Sequence, residues 1–481
     1  MALPEKDFRI LGPKDNPSQN VLGTKIFSIA DQENFASFSG DRNPIHVNPI
    51  KARRTIAGEC LVHGIHSFLW ALELFVIKNL YIHSFYKITF RRQLTLNQKT
   101  WCLWDENKNH IIVSNDYDEI LVLIEYGNIL DPSSKYKGFP LNYTKKLCEP
   151  LDQDEEFFKS RPTIESIYGG EIESGYNLFP ALYQNIGEHL IYEISTLSNI
   201  VGMQTPGLNS LFKSCQISIK SENKQIPRYQ IKDFHLIFRL LKIEYIGKNL
   251  CAKIEAFSTP KSPSSIITKN IKTRLNGLNS YKGRNVLIIG GSRGIGSFVA
   301  KVIGLLGGTV TITYLKGRKD ASLVCQDINT NLSSSVSKYC RLDVTDQNYS
   351  SLFENNYSDL FYFPTTKIEE SRSFNQEKYL NFKNIYCDSF KNIAIEFINN
   401  GGVKIFYPSS VYVNQNIKGF NEYIKAKKDG EFICSEISRI LSVKVLVERL
   451  DRVKTDQTLT LIPAKLLDPY DVAIDIVFKM I

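Results

Sequence analysis

FASFSGDRNPIH, residues Phe35 to His46, sets Asp41 and His46 five residues apart across a Pro, behind a flexible Ser39-Gly40 pair. A carboxyl and an imidazole presented from one rigid turn can polarise a single water, one group taking a proton while the other gives one. That is chemistry for adding water across a conjugated double bond or removing it. Gly-Asp-x-Asn-Pro is also a good solvated turn, so composition alone leaves both readings open. Further along, ARRTIAGECLVHG (Ala52 to Gly64) leads into Ile65, Phe68, Leu69, Leu72, Phe75 and Val76, whose spacing predicts a helix with an apolar stripe. A backbone N–H at the start of such a helix can stabilise an enolate-like oxygen. His63 and His66 read as packing or capping side chains.

The full string resembles the MaoC-like, (R)-specific enoyl thioester hydratases of the α+β hotdog fold, which carry Asp and His at this spacing, then a small-residue stretch and His-Gly. The resemblance implies that Asp41 and His46 are the acid/base pair and that the N–H of Gly64 receives the thioester carbonyl. It also implies an acyl-CoA or an acyl carrier protein thioester as partner. It is strong over residues 25 to 95.

A second motif lies far downstream. NVLIIGGSRGIG (Asn285 to Gly296) is a buried-strand pattern running into Gly290-x-x-x-Gly294-x-Gly296 and then a helical FVAKVIGLLGG. Glycines so placed allow a tight turn and let a pyrophosphate approach a helix N-terminus. LDV (Leu342 to Val344) follows, then VKIFYPSS ending at Ser410, then Tyr423-x-x-x-Lys427. Tyr and Lys four apart share a helix face, where an ammonium can lower a phenol pKa. Order and distances together resemble the short-chain dehydrogenase/reductases, over residues 283 to 460, with an α/β Rossmann-like doubly wound fold. The resemblance implies Ser410 on the substrate oxygen, Tyr423 as proton donor and acceptor, Lys427 on the nicotinamide ribose, Asn381 in the proton relay and Asp343 with Val344 at the adenine. Gly290, Ser292, Arg293, Gly294, Ile295 and Gly296 would hold the cofactor, with Arg293 on a 2′-phosphate. TVTITYLKGRK adds Lys316 and Arg318 and no carboxylate for a 2′-hydroxyl, which favours NADP(H).

Two departures stand out. YFPTTKI (Tyr362 to Ile368) replaces the Asn-Asn-Ala-Gly of the family, and ERLDRVKTDQT (Glu448 to Thr458) stands where a Pro-Gly is usual. The stretch from Arg284 to Ile481 is short for such a reductase, as though the substrate lid were missing.

Between the motifs, ISTLSNIVGMQTPGLNSLF (Ile194 to Phe212) is a helix-like run into a Gly-rich turn, and CQISIKS, FHLIFRLLKIEYIG and LCAKIEAFS follow as strand patterns. Helix then antiparallel strands is what a second, degenerate hotdog would show. In such double hotdogs that half widens an acyl tunnel, which Met203, Pro206 and Phe212 could line if they are not core. Ser258 to Arg284 holds six Lys/Arg, no Asp/Glu and TPKSPSS, and reads as an exposed linker. The expected order is a hotdog hydratase domain at 1–149, a second hotdog-like domain at 150–257, a linker at 258–282 and a reductase domain at 283–481.

The 481 residues suit several domains, and 43% hydrophobic residues suffice for their cores. Glu73 and Lys78 interrupt the apolar stretch near Phe68, and the first twenty residues are charged and polar, so neither a membrane span nor a secretory signal is expected. Nine scattered cysteines without a CxxC read as reduced thiols, not metal ligands, in a cytoplasmic protein. The formal charge of +9 suits an acidic cofactor or carrier, and no basic run is interleaved with aromatics as nucleic-acid binding requires. These features predict a bifunctional enzyme of acyl thioesters, NADPH-dependent in its 3-oxoacyl reduction. A hydratase with a silent nucleotide-binding scaffold, an oxidative enzyme and a non-catalytic acyl-binding module are the alternatives. Hotdogs pair through their sheets, so a homodimer is possible, although a double hotdog satisfies that pairing internally.

Overall fold

Alternation sets the first sheet: in LCAKIEAFS, Leu250, Ala252, Ile254 and Ala256 are buried while Lys253 faces solvent. A computed structural model describes residues 19–78, 81–116, 118–130, 147–220, 226–331, 337–346, 348–371, 373–415, 417–441 and 443–481. The chain divides into two compact units, Met1–Lys261 with Thr460–Pro463 and Ser262–Leu459 with Ala464–Ile481.

The first unit runs through β1 (Gln19–Ile26), α1 (Ile29–Ser39), α2 (Pro44–Val47), α3 (Pro49–Ala52), α4 (Gly64–Ile77), β2 (His83–Phe90), β3 (Lys99–Asp105), β4 (His110–Asn115) and β5 (Ile120–Ile129). It continues with α5 (Glu155–Lys159), β6 (Thr163–Glu165), α6 (Pro180–Ile186), α7 (Glu188–Asn199), β7 (Ser210–Ile219), β8 (Arg228–His235), β9 (Leu240–Ile246) and β10 (Leu250–Ser258). These strands make one sheet in the order β1-β3-β4-β5-β2-β7-β10-β9-β8-β6. Each half contributes five strands, and the halves join where β2 pairs antiparallel with β7, from Phe85 opposite Ser218 to Thr89 opposite Ser214. Helix α4 packs on the first half and α7 on the second. One core spans both: Phe68, Leu72, Tyr86 and Ile88 cluster with Leu190, Ile194, Ile217 and Ile254. Phe68 has no exposed surface, so truncating it to Ala would cost about 3–5 kcal/mol.

The second unit contains α8 (Lys269–Leu275), β11 (Asn285–Ile289), α9 (Gly294–Leu305), β12 (Thr309–Tyr314), α10 (Arg318–Asn331), β13 (Lys338–Arg341), β14 (Asp359–Tyr362), α11 (Gln376–Lys383), α12 (Phe390–Asn399), β15 (Lys404–Ser410), α13 (Asn421–Leu441), β16 (Lys444–Leu450) and α14 (Pro469–Lys479). Its strands are parallel in the order β13-β12-β11-β14-β15-β16, a doubly wound sheet whose order reverses between β11 and β14. Strand β11 is buried from Val286 to Ile289, as a strand covered on both faces requires.

The expected linker is not bare. Thr268 caps α8, and Ile271 and Leu275 on that helix are buried in the core beside α9 and α14, so apolar packing claims the segment for the second unit despite its basic composition. The residues after β16 are likewise consumed in packing, Tyr470, Ala473, Ile476 and Val477 of α14 covering α9. No helix among the described residues is long and apolar enough to cross a membrane.

Candidate active site

Helix α1 ends at Gly40, whose φ of 74° turns the chain sharply into Asp41. Asn43 then caps α2 through its side chain, with Pro44 at the first helical position, and this places His46 one turn on. Asp41 is buried. Its Oδ1 accepts from the backbone N–H of Asn43 at 3.1 Å, and its Oδ2 from the Ser198 hydroxyl at 2.7 Å. His46 Nδ1 lies 2.9 Å from the carbonyl of Leu61 and donates to it, which leaves Nε2 as the reactive nitrogen. Burial raises the Asp41 carboxyl above the ordinary range, opposed by the attraction of His46. Burial lowers His46, opposed by Asp41. Burial thus favours the neutral form of each group, while their mutual attraction favours the ion pair.

His63 belongs to this site, against the packing role that its sequence context suggested. Its Nε2 stands 2.9 Å from the carbonyl oxygen of Asp41 and its Nδ1 2.9 Å from Gln32 Oε1, while its ring stacks on His46 at 3.8 Å between centroids. Burial and the neighbouring His46 hold His63 well below the ordinary range, so it is neutral. Reactive atoms of Asp41, His46 and His63 lie within 4.8 Å of one another. Both ring nitrogens of His63 face oxygen partners, Gln32 Oε1 and the Asp41 carbonyl, and His46 Nδ1 faces the Leu61 carbonyl, so the cluster is tied into a hydrogen-bond network. His66 is a packing residue as expected: its ring lies 4.7 Å from that of Phe35, and burial lowers its pKa to about 3.

Gly64 opens α4, where the first N–H groups have no intrahelical partner. It follows His63 directly, and a Cβ there would fall 2.7 Å from Phe90 Cζ, so only glycine lets the phenyl ring close over the helix start. Phe90 in turn meets Phe212 edge to face at 5.4 Å, whereas Met203 is wholly buried.

In the second unit, the glycine-rich turn is tight as expected. A Cβ on Gly296 would fall 2.5 Å from the carbonyl oxygen of Gly290, and Ser292 is buried beside it. Arg293, however, is ion-paired with the buried Asp456 at 2.6 Å. Asp456 comes from the segment that replaces the usual Pro-Gly, and its Oδ1 lies 4.0 Å from a Cβ built on Gly294, at the head of α9. Lys316 and Arg318 are exposed after β12, and Asp343 Oδ1 accepts from the N–H and hydroxyl of Thr345. The N–H and hydroxyl of Thr345 together lower the Asp343 carboxyl. Ile295 is half-buried on α9, and Val344 packs against the core with its carbonyl taken by the Tyr349 hydroxyl.

Ser410, Tyr423 and Lys427 do come together. The Ser410 hydroxyl lies close enough to Tyr423 to favour its ionised form, and Tyr423 and Lys427 are both buried on α13. The expected electrostatics differ. Lys427 Nζ donates to the Pro408 carbonyl at 2.7 Å and sits 3.9 Å over the Tyr386 ring, against 5.9 Å for the Tyr423 ring. Burial lowers Lys427 to about 7 and raises Tyr423 to about 12, so in this arrangement the phenol is not acidified. Asn381 is exposed on α11 and is not hydrogen-bonded to Ser410 or Tyr423. Phe382 and Tyr386 pack on Tyr423 instead, and the Tyr386 hydroxyl is bonded at 2.6 Å to Thr365 of the altered YFPTTKI loop.

Comparison with known proteins gives a family match over the stretch that holds Asp41, His46 and Gly64. A family model described as MaoC like domain matches residues 15–91. Residues 15–91 carry a MaoC-like domain. Among solved structures, the chain is similar to a short-chain dehydrogenase from Burkholderia cenocepacia in complex with NADP, at 17% identity and a TM-score of 0.38, over 42% of this chain and 92% of that one. It is similar to a short-chain type dehydrogenase/reductase from Mycobacterium ulcerans, at 18% identity and a TM-score of 0.37, over 42% and 84%. It is also similar to the angucycline C-6 ketoreductase LanV with bound NADP, at 19% identity and a TM-score of 0.38, over 42% and 90%. No curated protein matches the chain.

Proposed function

We propose that this protein is a bifunctional enzyme of acyl thioester metabolism, hydrating 2-enoyl and dehydrating (R)-3-hydroxyacyl thioesters in its first unit and reducing 3-oxoacyl thioesters with NADPH in its second. The observation that carries the reading is the buried Asp41 beside the half-buried His46, whose Nε2 is left free by the Nδ1–Leu61 bond. In hydration, neutral His46 takes a proton from water as its hydroxyl adds to C3, and protonated Asp41 gives a proton to C2. The proton on His46 then returns to Asp41. The Gly64 N–H holds the thioester oxygen as negative charge builds on it. The second five-stranded half supports reading the first unit as a double hotdog, with the pairing of β2 on β7 met within one chain.

For the second unit, NADP(H) suits the basic Arg293, Lys316 and Arg318, with Arg293 exchanging Asp456 for the 2′-phosphate. The cofactor would supply the hydride, Ser410 would orient the 3-oxo oxygen and Tyr423 would protonate it. The two reactions share one intermediate, and fusion raises its local concentration. A hydratase whose second unit is a nucleotide-binding scaffold is the alternative, favoured by the occupied Arg293 and by a Lys427 drawn toward Pro408 and Tyr386. Nine free cysteines fit a reducing, cytoplasmic setting. Steady-state assay of the full chain with a trans-2-enoyl-CoA, and with 3-oxoacyl-CoA plus NADPH or NADH, tests both. Hydration without reduction leaves the scaffold reading, and absence of hydration overturns the proposal.

A further inference from the structure

The second half of the first unit reaches into the Asp41 turn at four points. The Ser198 hydroxyl donates to Asp41 Oδ2 at 2.7 Å. Asn199 Nδ2 donates to the Gly40 carbonyl at 2.9 Å, and Asn199 is itself held by Gln204 Nε2 at 2.7 Å. Asn43 Nδ2 returns the contact, donating to the Gly202 carbonyl at 2.8 Å. A Cβ on Gly202 would fall 2.2 Å from Asp41 Oδ1, so the backbone there is flush against the carboxyl. Ser198 and Asn199 end α7, and Ile200–Gln204 widen into a π turn that swings the Gly202 carbonyl toward Asn43. All of these residues are buried.

We propose that Ser198 is a positioning residue for the hydration reaction, acting through Asp41 by fixing the rotation of its carboxyl. The inference rests on the Asp41–His46 reading above. With the Asn43 N–H on Oδ1 and Ser198 on Oδ2, each oxygen has one fixed donor, and the carboxyl cannot turn without breaking both. Proton delivery to C2 needs that fixed orientation, because transfer falls off once the proton leaves its line of approach. The second half, which supplies neither member of the Asp41–His46 pair, thereby completes the site of the first.

Ser198 also stabilises the ionised form of Asp41 against burial, since a hydroxyl donates to a carboxylate more strongly than to a neutral acid. The titratable groups facing Asp41 are His46 and His63 of its own half, with His66 one turn beyond His63. The end of α7 and the π turn present Ser198, Asn199 and Gly202, none of them charged. Removal of the Ser198 hydroxyl thus moves the Asp41 titration upward without removing a charge. Hydration requires protonated Asp41, so the alkaline limb of its pH profile should move to higher pH while the acid limb, set by His46, stays.

The test compares Ser198→Ala and Ser198→Thr in the full chain, using a short trans-2-enoyl-CoA and following loss of enoyl absorbance across pH. For Ser198→Ala the expected result is a fall in kcat of about tenfold or more with little change in KM, and an alkaline limb about one unit higher. Ser198→Thr, which keeps the hydroxyl, should restore both. Carbon-13 NMR titration of labelled aspartate in the unmodified protein and in Ser198→Ala reads the Asp41 shift independently of turnover. Wild-type kcat with an unmoved Asp41 titration in Ser198→Ala overturns the inference. Equal impairment of the Ala and Thr variants with an unmoved titration also overturns it, since Ser198 would then serve packing alone. Failure of the unmodified protein to hydrate any enoyl thioester sinks the underlying reading instead, and the NMR titration still decides whether Ser198 controls Asp41.

Discussion

Replacing Asp456 by Asn should tighten NADPH binding. The Asp456 carboxylate is almost fully buried beside the head of α9, where a dinucleotide pyrophosphate would meet the first N–H groups of the helix. Two like charges about 6 Å apart at an effective dielectric near 20 repel by roughly 3 kcal/mol. The same carboxylate holds Arg293 at 2.6 Å, so cofactor binding must also break that ion pair. Asn keeps the shape and removes the charge, which relieves the repulsion and releases Arg293 for the 2′-phosphate. Screening and rearrangement reduce the gain, and a tightening of about tenfold to a hundredfold, or roughly 1.4–2.8 kcal/mol, is expected. Fluorescence titration with NADPH and NADH measures it, and the gain should be larger for NADPH because only that cofactor carries the phosphate. Arg293→Ala should have the opposite effect, weakening NADPH selectively. Unchanged or weaker NADPH binding by Asp456→Asn would refute the reasoning and make Asp456 the group that aims Arg293 at the phosphate.

Asp41→Asn and His46→Ala should each lower enoyl-CoA hydration by ~10²-fold or more, and the double variant should be little worse than either, because the pair acts as a unit; near-normal turnover in either single variant sinks the assignment. Tyr423→Phe should abolish any 3-oxoacyl-dependent oxidation of NADPH while enoyl hydration by the same chain stays unchanged, a separation read by running both assays on one preparation. His66 titrates near 3 in the fold against 6.5 for an ordinary histidine, so the unfolded chain binds its proton first as pH falls, and stability is lost between those two values at up to roughly 1.4 kcal/mol per pH unit. Thermal denaturation from pH 7 to pH 4 should show that loss, and His66→Leu should make it shallower, with His46 and His63 supplying the remainder; an identical slope in the variant assigns the acid lability elsewhere.

Sequence alone marked out both candidate sites, because each depends on short-range spacing. Asp41 and His46 sit on one turn, and Ser410, Tyr423 and Lys427 on one strand and the helix that follows it, so chain order nearly determines their neighbourhood. The glycine turn and the repeated helix-then-strands pattern were legible for the same reason, since local periodicity records which face is buried. What chain order cannot record is which distant residue a folded surface brings up. Ser198 stands 157 residues from Asp41 in sequence, and Asp456 163 from Arg293, and neither has a local pattern that marks it. His63 looked like a packing histidine because only the return of the chain past Gln32 and Asp41 stacks it on His46. Lys427 kept its helical spacing to Tyr423, yet Pro408 and Tyr386 set the direction of its ammonium. Spacing fixes where a side chain starts; burial and the partners supplied by other elements decide where its charge ends, and that part of the site belongs to the tertiary structure.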